Sequence, residues 1–319
     1  MGKYLLKRLL IAVPTLVAIS MVIYLVLALA PGDPLSALAS NTSIPPEVRE
    51  SIRRSLGLDQ PIATRYVKWA IAFFTGNMGY SFASSVPVSQ LILQRLPTTL
   101  WVVGLAYFFS VLIAFPLGIL SALKRYTLID QVTTTFAFAG ISVPPFFTGL
   151  LFIIFFSVEL GWLPSIYNGT LVVNSAATLL AQLKQSIMPI AVLTLFQTAV
   201  LMRYIRAAVI EQLNTDYVRT AYAKGLSSFQ VIVRHVLRNA LIPVVTLIAL
   251  DIPAVFTGAL VTEQVFRIPG IGSLLIDAIN RSDTPVVMAI AFIYAILIVL
   301  FNLVADIIYG ILDPRIRYQ

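Results

Sequence analysis

EQLNTDYVRTAYAKGLSSFQVIVRHVLRNALIP, residues 211–243, is the one long charged interruption between two strongly apolar segments, and the organisation of the rest of the chain follows from it. Residues 216–224 hold no Pro or Gly and several good helix formers, so the pattern predicts a short helix there. Gly225 stands where a left-handed residue would end it. Ser227 and Gln230 then form an S-x-x-Q capping box, in which the Ser hydroxyl takes one orphan N–H and the Gln side chain returns to the cap. A second helix is predicted from there through Arg234, His235 and Arg238 into the apolar run near Leu241. On the first helix Tyr217, Ala221 and Lys224 share a face, and the small residues Thr220, Ala221 and Ala223 leave room for another protein to approach. A solvated basic loop held at the membrane by charge alone is the competing reading.

Outside this loop the chain is strongly apolar. Hydrophobic residues make up 59% of its 319 residues and charged residues only 11%, with a mean hydropathy of +0.91. A soluble domain with a polar surface does not sustain such values, so an all-α polytopic membrane protein is predicted. The absence of Cys excludes disulfides, thiolate metal sites and Cys nucleophiles. The net charge of +8 is read as a matter of orientation and anionic headgroups, not of nucleic acid.

Six spans are predicted, over 9–30, 99–123, 132–158, 188–205, 241–261 and 286–308. The first follows Lys3, Lys7 and Arg8. It is long enough to cross a bilayer, whereas a signal-peptide core is roughly 7 to 15 residues, and Pro31 would be the first mature residue after cleavage, so it is read as uncleaved. Residues 31–98 form a long external segment with two amphipathic stretches, 46–56 and 62–74; Tyr66, Trp69, Phe73 and Phe74 suit an interfacial helix. Asp33, in PGDP, is read as a turn residue. The second span should bend at Pro116 and Gly118. The third is interrupted by Gly140 and the pair Pro144-Pro145, which is tolerated only where neighbours or water satisfy the freed carbonyls, so this span is expected to face the bundle and the pathway. The chain thus divides into 1–30, 31–98 and a core at 99–319, with the charged loop at 209–240.

Charge sets the orientation. With both termini inside, the short inner segments hold Lys3, Lys7, Arg8, Lys124, Arg125, Arg203, Arg206, Arg219, Lys224, Arg234, Arg238, Arg315 and Arg317. The two short outer loops hold only Lys184, Arg267 and Arg281. Asp251 is the one acidic residue placed near mid-membrane. An intramembrane carboxylate is a candidate functional group because its charge is costly there, and a protonated or helix-bonded structural Asp is the alternative. Gln197 and Thr198 are its candidate polar neighbours. No G-x-x-x-x-G-K-[ST] phosphate loop is present, His235 is the only histidine, and there is no G-x-S-x-G elbow. No catalytic, metal or cofactor residue is assigned.

DYVRTAYAKGL and the following RHVLRNALIPVV resemble the cytoplasmic loop of ABC-importer permeases of the dipeptide/oligopeptide/nickel type. The resemblance continues in order through PGDP, LGLDQP (56–61), GNMGYS (76–81) with Pro87-Val88, GWLP (161–164), EQVFRIPGIG, DTPVV (283–287) and DPRIR (313–317). Four departures stand out: Arg219, Thr220 and Ala221 replace the generic Glu-Ala-Ala, Tyr222 replaces Arg, Arg267-Ile268 replaces Ser-Trp, and DTPVV stands where Asp-Tyr-Pro-Val-Val is usual. The resemblance implies a type I ABC-importer permease fold in a bacterial inner membrane; the pathway candidates, read from the residues themselves, are Asp251, Gln197, Pro144 and Pro145. The resemblance also implies that Asp216, Tyr217, Arg219, Thr220, Ala221, Ala223, Lys224, Gly225 and Leu226 couple to ATPase subunits. ATP and Mg would be bound by two such ATPases, a second related permease would complete the pore, and an external substrate-binding protein would deliver cargo. An ion-coupled secondary transporter is the alternative; it needs buried ionisable pairs and usually repeated halves, and only Asp251 is a deep charge.

Overall fold

The computed structural model describes residues 2–29, 47, 50, 51, 54, 57 and 59–312. The PGDP turn, most of the amphipathic stretch at 46–56 and the closing DPRIR lie outside the described residues. The described chain is almost wholly helical. Helix α1 covers Gly2–Leu29 and α2 covers Ile62–Phe74, the second predicted interfacial stretch. They are followed by α3 (Val88–Leu123), α4 (Leu128–Ser142) and α5 (Pro145–Glu159). Then come α6 (Ala176–Leu213), α7 (Asp216–Ala223), α8 (Ser228–Thr257), α9 (Leu260–Phe266), α10 (Ile271–Asn280) and α11 (Thr284–Leu312).

Five helices, α1, α3, α6, α8 and α11, are long and apolar enough to cross a bilayer, and α4 with α5 makes a sixth, broken candidate. The break differs in detail from the sequence reading. Helices α4 and α5 meet at 96°, at Val143 and Pro144, and Pro145 starts α5 because its missing N–H is an orphan in the first turn anyway. Gly140 does not interrupt the helix. It lets α4 approach α6: a Cβ there would stand 2.9 Å from the Ala199 Cβ.

Helix α3 starts at Val88, so the boundary drawn at 98/99 falls inside a continuous helix that passes through a wider π-type turn at Leu100–Gly104. Likewise α6 starts well before residue 188, because Ser175 caps it: its Oγ accepts from the Thr178 N–H, and the Thr178 hydroxyl answers the Ser175 N–H.

Helix α3 packs extensively on α6, through small residues that bring backbones together. Ala114, Gly118 and Ala122 of α3 lie in one buried cluster or beside it with Leu201, Met202 and Ile205 of α6. The packing accounts for Gly118: a Cβ there would lie 2.9 Å from Ile205 and 3.0 Å from the Met202 carbonyl oxygen. Gly118→Ala must push the helices apart, and is expected to destabilise by about 1–3 kcal/mol, read as a lowered unfolding temperature of the detergent-solubilised protein. A matching Ala substitution at Gly76, which has open space but a φ of +87°, separates crowding from backbone strain.

Polar locks join helix ends. Asp130 of α4 is buried and takes a two-pronged contact from Arg206 of α6, at 2.7 and 3.0 Å, together with the Ser121 hydroxyl of α3 at 2.6 Å. Arg8 of α1 pairs with Asp306 of α11 at 3.1 Å, so the beginning of the first helix and the later part of the last lie at the same end of the bundle. Near its other end Asp283 receives the Ser81 hydroxyl and the backbone N–H groups of Phe82 and Ala83, pinning the GNMGYS loop to the start of α11.

Candidate functional site

The loop between α6 and α8 folds as its sequence predicts. Helix α7 buries Val218 and Ala221, 2% and 5% exposed, against Val209 of α6 and Val231 and Val236 of α8. An i, i+3 stripe is thus spent on holding α7 to its own chain. Its other face is open, carrying Asp216, Arg219, Thr220, Ala223 and Lys224. Ala221 and the half-buried Leu226 therefore point into the chain, so the opening expected at Ala221 lies instead over Thr220 and Ala223.

The end of α7 is a Schellman motif. Gly225 has φ +79°, its N–H donates to the Tyr222 carbonyl at 2.9 Å, and the Leu226 N–H donates to the Ala221 carbonyl at 3.4 Å. Leu226 packs on the same core as Val218. The Ser227–Gln230 box is present in both directions, at 3.3 and 3.4 Å.

Tyr217 ties the three helices together. Its hydroxyl donates to Gln212 Oε1 at 2.5 Å and accepts from Asn239 Nδ2 at 3.0 Å, linking α6, α7 and α8. Tyr217→Phe removes both contacts at a site 38% exposed. The expected loss is about 1 kcal/mol, seen as faster amide exchange across 214–226 with the spanning helices unchanged. Two exposed aromatic rings lie outside the assigned coupling residues: Tyr222, on α7 itself, and Phe229, in the first turn of α8, the latter at 76%.

The pathway candidates gather elsewhere. Asp251 of α8 accepts from Gln197 Nε2 of α6 at 3.1 Å, and both line a cavity of about 410 Å³ with Tyr107, Pro145 and Phe146. Pro144 sits at the α4–α5 bend outside that lining. The Thr198 hydroxyl is buried with no hydrogen-bond partner among the described residues, and is not part of the Asp251 pair.

Behind Gly258 and Thr262, which line the cavity, lies a second carboxylate, which sequence reasoning missed. Glu263 of α9 is 1% exposed; it accepts the Ser273 N–H at 2.7 Å and the Thr99 hydroxyl at 3.2 Å. Burial pushes its carboxyl above the ordinary glutamate range, opposed by those two donors and the Gly272 N–H. A Cβ on Gly258, Gly270 or Gly272 would collide with this carboxylate. The signal was present in the spacing E-x6-G-x-G of EQVFRIPGIG, in which both glycines clear space for one side chain.

A bundle of five or six candidate spans, a broken helix beside a cavity, and a small helix with an open polar face define a multi-pass membrane protein. Residues 114–318 match the family of binding-protein-dependent transport system inner membrane components, and residues 1–103 match the N-terminal region of such membrane components. The chain belongs to that family. It is 39% identical to the oligopeptide transport system permease protein AppB of Bacillus subtilis (strain 168), over 100% of both chains. It is 36% identical, again over 100% of both, to the glutathione transport system permease protein GsiC of Escherichia coli O6:H1. A solved structure described as an amino acid ABC transporter with histidines shares the fold at a TM-score of 0.51 and 15% identity, covering 69% of this chain and 94% of that one.

Proposed function

We propose that this chain is one of two permease subunits of an ATP-driven importer of di- or oligopeptides, lying in a cytoplasmic membrane with both termini inside. The second permease is a related chain, two ATPase subunits bind ATP and Mg beneath the pair, and an external substrate-binding protein delivers the cargo. The observation that carries this reading is α7: its inner stripe is consumed by packing, its end is fixed by Gly225, and its outer face is left polar, small and exposed. Such a face suits a groove on another protein. Closure of the ATPases would displace α7, and the Tyr217 contacts would carry the shift into α8 and so to Asp251. This is a two-state scheme in which ATP favours one state through different contacts at α7.

The direct test is purification of the tagged chain from its native membranes in mild detergent. Recovery of ATPases, a sister permease and a solute-binding protein is expected, and the ligand held by that binding protein names the cargo. A chain that comes out alone and moves solute in vesicles without ATP would instead be a secondary transporter.

A further inference from the structure

We propose that the cavity beside Asp251 receives a cationic ammonium group, and that within an importer of peptides this group is the free amino terminus of the passing cargo. The second clause rests on the function proposed above; the first does not. Asp251 Oδ2 takes one hydrogen bond, from Gln197. Among the described residues none donates to Oδ1, and no Lys, Arg or His lines the cavity. The hydroxyl of Tyr107, which also lines it, is turned to the Ile248 carbonyl at 3.1 Å and so is spent.

A carboxylate in apolar surroundings is costly to leave half-paired. The remaining walls suit a cation: Tyr107, Phe146 and Phe196 present aromatic rings around the same space, and such rings attract ammonium groups. The cavity is also where several elements meet, with α6 and α8, the Pro145 start of α5, and the Gly258 turn all contributing to its walls. A group held there would be felt by each of them. The alternative for Asp251 is a helix-to-helix lock through Gln197, serving every cargo alike.

The absence of cysteine from this chain makes a clean test. Ala254 lines the cavity one helical turn from Asp251. In the membrane-embedded complex, Ala254→Cys is reacted with a cationic ethylammonium methanethiosulfonate and with an anionic ethylsulfonate analogue, and labelling of this chain is read by mass. The cationic reagent is expected to react about tenfold faster relative to the anionic one than the pair does with a free thiol. That preference should vanish when Asp251→Asn is added. Equal relative rates, no labelling, or a preference that survives Asp251→Asn would each overturn the proposal.

Uptake of tri-alanine and N-acetyl-tri-alanine then addresses the cargo. Asp251→Asn should reduce uptake of the free-amine peptide about tenfold more than that of the acetylated one; an equal loss of both marks the helix lock. If the reagent preference holds while the wild-type complex moves neither peptide, the peptide-import reading fails and the cation site stands.

Discussion

Gly225→Val is expected to abolish ATP-dependent uptake, by tenfold or more, while the chain still inserts into the membrane at normal abundance. Gly225 has φ +79° and nothing within 4 Å of where its Cβ would be, so the substitution meets no neighbour. Its cost is purely one of backbone, about 1–2 kcal/mol for an ordinary L-residue in the left-handed region and larger for a β-branched one. The strain is relieved by moving Gly225 out of that region, which breaks the Gly225–Tyr222 and Leu226–Ala221 hydrogen bonds and frees the end of α7. Spanning helices and their packing are untouched. ATP hydrolysis in the complex should continue without responding to loaded binding protein. Asn tolerates the left-handed conformation, so Gly225→Asn should keep most of the uptake. Normal transport by the Val variant would remove the geometry on which the coupling scheme rests.

The loop around Gly225 was legible because its signals are local. A helix stop and a capping box lie within a few residues, and local hydrogen bonding decides both; the inner face of Val218 and Ala221 was not legible, because what it packs on belongs to α6 and α8. Span boundaries were less legible: α3 and α6 continue beyond their apolar windows because Val88 and Ser175 start them, and neither start is marked by hydropathy. The break at Pro144 is visible in the sequence, whereas Gly118, read as part of a bend, and Gly140, read as part of the break, are close-packing positions against Ile205 and Ala199. Which of two roles a glycine plays depends on what faces it, and that is a tertiary fact. For the same reason Asp130 and Glu263 were passed over. Asp130 meets Arg206 of α6 and Glu263 meets Thr99 of α3, both far along the chain, and the glycine spacing after Glu263 marks room for a side chain without naming those partners.

Glu263→Ala is expected to cost on the order of 3 kcal/mol or more, since it removes the shared acceptor of several buried donors. The start of α10 shows why. The Ile271 N–H donates to the Thr99 hydroxyl at 2.8 Å, the Thr99 hydroxyl donates to Glu263, and the Ser273 N–H donates to the other carboxylate oxygen. One negative group thus satisfies the open end of α10 and opposes its positive dipole. It also ties α9 and α10 to α3, at a turn that borders the Asp251 cavity through Gly258 and Thr262. Glu263→Gln keeps the volume but replaces one accepting oxygen by an NH2, so one donor loses its partner, at about 1–3 kcal/mol. Unfolding temperatures in detergent should therefore fall in the order wild type, Gln, Ala. Thr99→Ala combined with Glu263→Ala should cost clearly less than the sum of the two, because each variant already breaks the same chain of hydrogen bonds. Additive losses, or a Gln variant as stable as wild type, would mean that the glycines at 258, 270 and 272 clear space for a side chain that holds nothing.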